Sequence, residues 1–443
     1  MTRIALIGAG SVEFTKKLVG DILSFPELQG VELALHDIDA ERLETAESMV
    51  AWAASELGAT PSIGTYDDRR SAIAGSDFVI NMVQVGGHEA TLHDFELPRR
   101  YGVRQTIADT LGIGGIFRTL RTADHMLALG NEMAELCPTT AWLLNYTNPM
   151  AALCWLVYAG TPTQNVVGLC HSVQFTTAAL CELVGVPKDE MTFLAAGVNH
   201  QAFILRFERN GESLYPLLDE RIAADPELQR RVRVALYQRL GYFQTESSEH
   251  AAEYVPWFMR HDEEIERFRI RVDEYIRRSE RNLVRYEEIK HALQNGERMT
   301  LERSNEYAAL IIHAIVSGEP QVIYGNVRND GLILGLPDGA CVEVPCLVDR
   351  AGVRPTPVAD YPAELAALNR TFLNPVELTV RAVLEQRPEL VRHAAMLDPN
   401  TAATLTLDQI DALCDELTIA HGELIPSSLR AGAGELAGSR GNP

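Results

Sequence analysis

Two sets of residues in this 443-residue chain carry groups able to do chemistry. The first is Gly8-Ala9-Gly10, directly after the apolar run at residues 4–7, joined by Asp37 at the end of a second apolar run. Glycines so placed let a backbone turn tightly and approach a pyrophosphate at a helix amino terminus. An acidic residue ending the second strand accepts hydrogen bonds from ribose hydroxyls and disfavours a 2′-phosphate, so the chemistry is dinucleotide binding, with NAD preferred over NADP. Glu13 replaces the third glycine of G-x-G-x-x-G, which leaves an ordinary strand-to-helix turn as the competing reading.

The second set is Asn145-Tyr146-Thr147-Asn148-Pro149, Gly168-Leu169-Cys170-His171-Ser172-Val173 and Gly197-Val198-Asn199-His200, which offer a thiol, two imidazoles and several amides. A cysteine and a histidine that converge in a fold can hold a divalent cation, the thiol losing its proton to the metal. The spacing lacks the C-x-x-C pairs of a structural zinc site, so Cys170 as a core thiol and His200 as a satisfied loop histidine stay open here.

These residues need elements to position them. Residues 1–171 alternate short apolar strands, at 4–7, 31–36, 78–85, 142–144 and 166–169, with helical segments. The pattern predicts an α/β, Rossmann-like doubly wound parallel sheet, whose ligands bind beyond the carboxyl ends of the strands. Residues 172–426 are less regular and predict a second, α+β domain. Within it, the charge-dense segment 259–296 predicts one long solvated helix, and 321–324 and 341–348 predict strands around the turn Asn329-Asp330-Gly331. Residues 427–443, rich in Gly, Ala and Ser, predict a flexible tail.

Composition narrows the partners. With 39 Lys and Arg against 61 Asp and Glu, the net charge is −22, which argues against nucleic acid or an anionic membrane surface. The 46% hydrophobic content suits a large folded core, and no apolar run approaches the length needed to span a bilayer. Together with the short apolar amino terminus, this predicts a soluble, cytoplasmic protein. Seven cysteines without a framework spacing predict reduced thiols, each a small buried hydrophobe unless its neighbours argue otherwise.

Taken in order, the blocks resemble glycoside hydrolase family 4, specifically its α-galactosidase (melibiase) branch. The resemblance runs to about residue 425. It rests on Ile7-Gly8-Ala9-Gly10-Ser11, Asp37-Ile38-Asp39, Gln105-Thr106-Ile107-Ala108-Asp109-Thr110-Leu111-Gly112, Asn145 through Met150 and Gly168 through Gln174. It continues in Gly197 through His200, Thr245-Glu246-Ser247-Ser248-Glu249-His250, Val322 through Gly331 and Cys341-Val342-Glu343-Val344. Cys170-His171-Ser172-Val173 points to the branch, since the residue after the cysteine sorts the family by substrate.

The resemblance implies a second domain similar to that of lactate and malate dehydrogenases, bound NAD at Gly8, Gly10, Ser11 and Asp37, and a divalent cation, usually Mn²⁺, on Cys170 and His200. It also implies a small-molecule glycoside substrate touched by Asn148, with Asp109 and Arg118 on a Gly-rich loop closing over the sugar, and a homo-oligomer. Family 4 departs from two-carboxylate glycoside hydrolysis. The implied sequence is oxidation at C3, removal of the C2 proton, elimination, addition of water and re-reduction, so that NAD is recycled. His171 is expected to protonate the leaving oxygen, with simple sugar binding as its alternative. Tyr242 is the expected C2 base, with Tyr254, Glu246 and Glu249 as rivals. Activity on α-glucosides, α-glucuronides or α-galacturonides is the alternative within the family. A net NAD-dependent dehydrogenase and a non-catalytic NAD sensor are the rivals outside it; the former lacks its Gly-x-His-Gly-Asp string here.

Overall fold

The computed structural model describes residues 1–304 and 306–430. Most of the expected tail, 431–443, lies outside the described residues; its start forms a short 3₁₀ turn, Ser427–Leu429.

The amino-terminal half carries six parallel strands: β1 Arg3–Ile7, β2 Glu32–His36, β3 Ser62–Tyr66, β4 Phe78–Asn81, β5 Trp142–Asn145 and β6 Val166–Leu169. Their spatial order, β3-β2-β1-β4-β5-β6, is that of a doubly wound dinucleotide fold. Helices cover both faces, so β1 and β4 read as nearly unbroken apolar runs buried on each side. The helix Ala40–Leu57 shows how local sequence sets the ends. The Asp39 carboxylate accepts the N–H groups of Glu41 and Arg42 at its start, and Gly58 closes it in a left-handed conformation.

The second half extends the same sheet. Strands β7 Met191–Val198, β8 Gln201–Arg209, β9 Glu212–Ser213, β10 Phe243–Gln244, β11 Gln321–Arg328, β12 Cys341–Asp349 and β13 Gly352–Pro355 pair antiparallel. The continuous path is β10-β8-β7-β12-β11-β6, so the two halves join where β11 pairs with β6 through Gly325–Leu169 and Asn326–Gly168. Asn326 reinforces that join by donating from Nδ2 to the Gly168 carbonyl at 3.1 Å. The join lies immediately before Cys170, so the sheet seam itself fixes that cysteine.

Several expected elements differ. The Gly-rich loop expected to carry Asp109 and Arg118 ends at Leu111, and Arg118 lies buried on the helix Gly112–Leu136, where Gly114 and Gly115 pack closely against Ala108 and Thr110. The strand expected at 78–85 stops at Asn81 because its partner β1 stops at Ile7, where Gly8 turns the backbone away. The helix expected through 259–296 divides into Asp262–Arg267 and Glu274–Gln294. Between them Phe268 and Ile270 bury in a small separate core with Val255, Phe258 and Met259, which pulls the chain out of helical geometry. Among the described residues no helix is long and apolar enough to cross a membrane. All seven cysteines are unpaired, and all but Cys137 are buried.

Candidate active site

A cavity of about 940 Å³ opens at the carboxyl ends of β1, β2 and β4, lined by Gly8, Gly10, Ser11, Asp37 and, across from them, Tyr275 and Tyr286. Gly8 has φ +88°, and a Cβ there would stand 3.1 Å from the Met82 backbone. At Gly10 a Cβ would fall 2.6 Å from the Asp37 carboxylate, which instead accepts the Gly10 N–H at 2.8 Å. Asp37 also accepts the Asp39 N–H at 3.0 Å, so its carboxylate is fixed at the cavity edge. This backbone-lined cradle, with a carboxylate at its far rim, fits a dinucleotide.

The far wall comes from the helix Glu274–Gln294, which the sequence had reduced to a solvated surface element. Arg42 donates to the Gly10 carbonyl at 3.2 Å and lies 4.1 Å over the ring of Tyr286. The Tyr286 hydroxyl meets Thr45 at 3.2 Å. One stripe of a charge-dense helix, bearing Tyr275, Ser279, Asn282 and Tyr286, thus faces the cavity; most of its charged side chains face water, but Glu274 is buried among Arg271, Arg277, Arg278 and Arg281.

The second constellation gathers beyond β6 and β7. Cys170 directly follows β6, His200 sits in the β7–β8 turn with φ +66°, and Glu246 follows β10 with φ +71°. One ligand atom of each lies within 4.8 Å of the others. His200 Nε2 is 3.6 Å from Glu246 Oε1, and Cys170 Sγ is 4.0 Å from the same oxygen. Behind His200, Nδ1 meets the Thr110 hydroxyl at 2.8 Å and the Tyr254 hydroxyl at 3.5 Å, which fixes the ring and aims Nε2 at the group. A thiol, an imidazole nitrogen and a carboxylate oxygen form a donor set that suits a first-row divalent cation.

Electrostatics agree with that fit. Burial, followed by the charges of Glu246 and Glu343, pushes the Cys170 thiol well above its usual pKa. Without a cation it is a neutral thiol, so ligation must release its proton. Burial lowers His200 to about 4, keeping the imidazole neutral, as a ligand must be.

A third layer completes the wall. His250 stands with Nε2 3.7 Å from Asp109 and Nδ1 3.5 Å from Glu246, and Ser247 holds Nδ1 at 2.9 Å. Asp109 accepts from Asn148 Nδ2 at 3.2 Å, and Arg118 Nε donates to the Asn148 carbonyl at 3.2 Å. Arg118 also donates to the Tyr275 hydroxyl at 3.0 Å, tying this group to the dinucleotide wall. The loop bearing Asp109 is shaped by Glu253, whose carboxylate takes the N–H groups of Thr106, Ile107 and Ala108 at 2.8, 3.1 and 3.0 Å.

The structure therefore brings together Cys170, His200, Asn148, Asp109 and Arg118, with His171 at the edge and the Gly8, Gly10, Ser11 and Asp37 cradle opposite. It does not bring Tyr242 to them: that side chain is half-buried, packing on the main core beside Tyr215. Glu249 is turned away in an ion pair with Arg271 at 2.8 Å. Sequence reasoning counted His250 among the residues of the resemblance but gave it no role. The signal was present, since Glu246 and His250 are four residues apart and Ser247 caps the helix Ser248–Glu253 between them.

A Rossmann-type cradle facing a thiol, imidazole and carboxylate cluster defines an enzyme built on dinucleotide-binding architecture. Residues 3–186 match the family 4 glycosyl hydrolase model and residues 195–401 match the family 4 glycosyl hydrolase C-terminal domain. The chain belongs to family 4 of the glycosyl hydrolases and is a glycoside hydrolase. It is 42% identical over 431 residues to an alpha-galactosidase of Bacillus subtilis, covering 96% of this chain and 99% of that one. Its fold is similar to that of a 6-phospho-alpha-glucosidase from gut microorganisms in complex with NAD and Mn²⁺, with TM-score 0.80 and 20% identity over 96% of this chain and 99% of that one. It is also similar to malate dehydrogenase of Plasmodium falciparum, with TM-score 0.51 and 12% identity over 88% and 100% of the two chains. The second domain expected to resemble that of the dehydrogenases is thus found.

Proposed function

We propose that the protein is an NAD- and divalent-metal-dependent α-galactosidase, with residues 1–171 as the dinucleotide half and 172–426 as the metal- and substrate-holding half. The observation that carries the reading is the Cys170–His200–Glu246 group, linked to the Gly8–Gly10–Asp37 cradle through Asp109, Asn148, Arg118 and Tyr275. The 42% identity to an alpha-galactosidase supports the choice of substrate over other glycosides of the family, and the NAD and Mn²⁺ held by a relative of the same fold support the two cofactors.

When bound, NAD⁺ supplies a hydride acceptor and donor for sugar C3, and the divalent cation supplies Lewis acidity at the neighbouring oxygens. The chain does the rest. Cys170, His200 and Glu246 hold the cation, and Gly8, Gly10, Ser11 and Asp37 hold the dinucleotide. Asn148 and Asp109 hydrogen-bond the sugar hydroxyls, and Arg118 locks Asn148 by its carbonyl. Once a base has taken the C2 proton, His171 gives a proton to the glycosidic oxygen as the C1–O bond breaks, so the leaving group departs as an alcohol and a C1–C2 double bond forms; water later adds its hydroxyl to C1 and its proton to C2. Because an oxidised Cys170 would lose its ligand role, the enzyme belongs in a reducing cytoplasm; its assembly as a homo-oligomer is proposed on the family resemblance alone.

The test is a panel of p-nitrophenyl α-galactoside, α-glucoside and α-galacturonide, with and without NAD⁺, Mn²⁺ and dithiothreitol. Galactoside cleavage that requires all three additions is the expected result. Preference for another glycoside overturns the substrate. NADH accumulating in proportion to substrate consumed overturns hydrolysis.

A further inference from the structure

The group just described uses His171, but not the carboxylate that grips it. Glu306 immediately precedes the helix Tyr307–Ser317, its side chain is 3% exposed, and its Oε1 lies 2.5 Å from His171 Nε2. Its other oxygen, Oε2, is buried without a hydrogen-bond partner among the described residues. A buried carboxylate is costly unless something pairs with it, and here the partner is the imidazole.

The backbone beneath Glu306 is fixed just as firmly. Asp21, 1% exposed on the helix Val12–Leu23, accepts the Glu306 N–H at 2.8 Å. It also accepts the Ser304 N–H at 2.8 Å and the Ser304 hydroxyl at 2.6 Å. Tyr146, whose hydroxyl accepts the Ala308 N–H at 3.1 Å, packs against both Phe14 and the His171 ring, and Phe14 meets that ring edge-on as well. Burial, and then the charge of Glu306, holds the Tyr146 phenol well above its usual pKa, so it stays neutral beside that carboxylate. The first helix of the dinucleotide half thereby sets where Glu306 sits, and Glu306 sets where His171 sits.

We propose that Glu306 is the positioning carboxylate of His171: it holds Nε2 and commits Nδ1 to the glycosidic oxygen. The inference rests on His171 serving the leaving group. In that step Nδ1–H passes its proton to the glycosidic oxygen while the electron pair of the C1–O bond goes to that oxygen. The ring is left in the neutral tautomer whose Nε2–H donates to Glu306. A carboxylate behind a catalytic imidazole acts this way, by fixing tautomer and ring plane rather than by taking the proton. The arrangement reaches the leaving group alone, since Glu306 does not join the Cys170–His200–Glu246 group.

That confinement gives the test. Glu306→Gln keeps shape and one acceptor oxygen but removes the charge. Melibiose has an alcohol leaving group that needs a proton, whereas p-nitrophenyl α-galactoside releases a stable phenolate without one. Glu306→Gln is expected to lower kcat on melibiose by about 100-fold, and by at least tenfold less on the p-nitrophenyl substrate, with KM little changed. Glu306→Asp is expected to recover part of the loss. In a His171→Ala background the Glu306→Gln change is expected to add little, as for two residues acting as one unit. Equal losses on both substrates, additive losses in the double variant, or an unchanged melibiose rate would each overturn the proposal. NADH binding followed by fluorescence keeps a misfolded variant from passing as a positive. Wild-type protein that cleaves neither substrate would instead overturn the α-galactosidase reading beneath it.

Discussion

The imidazole of His250 stands 3.7 Å from the carboxylate of Asp109, inside a wall where both side chains are almost fully buried. Burial alone would keep the ring neutral. The charges of Glu246 and Asp109 overcome it and raise His250 to about 9. Asp109 answers in the opposite sense: against burial, the hydrogen bond and charge of His250 hold it well below the usual carboxylate range.

The pair has a consequence for stability in the metal-free protein. A histidine whose folded pKa exceeds its unfolded value near 6.5 contributes fully below pH 6.5, and the contribution fades as pH rises through about 9. The metal-free protein is therefore expected to lose on the order of 1–3 kcal/mol, several degrees in Tm, between neutral pH and pH 9. His250→Gln should be less stable at pH 6 and should lack most of that slope. Calorimetry across the pH range checks this; an unchanged slope in the variant would sink the assignment.

The ligand group predicts a division between holding and supporting residues. Cys170→Ser and His200→Ala each remove a donor and are expected to abolish Mn²⁺-dependent turnover, with Mn²⁺ binding followed by electron paramagnetic resonance falling in parallel. Thr110→Val removes the 2.8 Å contact behind His200 together with the 2.8 Å hydrogen bond that the same hydroxyl donates to Asp109, and is expected to weaken Mn²⁺ by about 10- to 100-fold. Normal turnover in Cys170→Ser or His200→Ala would refute the metal assignment.

The sequence carried much of this, and its failures have physical causes. Gly8, Gly10 and Asp37 are legible because they work through backbone geometry at strand ends, which a short local pattern encodes. Cys170 and His200 are legible only once many blocks are taken together, because β6 and the β7–β8 turn meet through long-range sheet pairing that no local spacing reveals. Glu306 is out of reach for the same reason: its partner lies 135 residues away and its position depends on Asp21. The Glu274–Gln294 helix misled by composition, since only a narrow inward stripe, Tyr275, Ser279, Asn282, Tyr286 and Ile289, interrupts its many charged positions.

The same helix predicts how firmly the dinucleotide is held. Tyr286→Ala removes the ring under Arg42 and the contact to Thr45, so the wall opposite Gly10 loosens. NADH affinity, read by fluorescence titration, is expected to fall by roughly tenfold, as for a lost cation–π and hydrogen-bonded contact. Gly10→Ala is expected to do worse, because its Cβ would displace the Asp37 carboxylate. Wild-type affinity in Gly10→Ala would argue that the cradle is not the binding site.

The placement of Tyr242 makes the last prediction. A base for the C2 proton must reach the sugar between the ligand group and the dinucleotide, and Tyr242 packs instead on the main core beside Tyr215. Its neighbour Tyr215 is itself tied down, donating to the Ile204 carbonyl at 2.5 Å and accepting the Phe243 N–H at 3.1 Å. Tyr242→Phe is therefore expected to keep turnover within about twofold of wild type, far short of the loss that removal of a general base brings. Deuterium at C2 of the substrate is expected to slow wild type and Tyr242→Phe alike, because C2–H cleavage survives in both. A large loss of turnover in Tyr242→Phe, with Mn²⁺ and NADH binding intact, would restore that tyrosine as the base and require the segment before β10 to move when substrate binds.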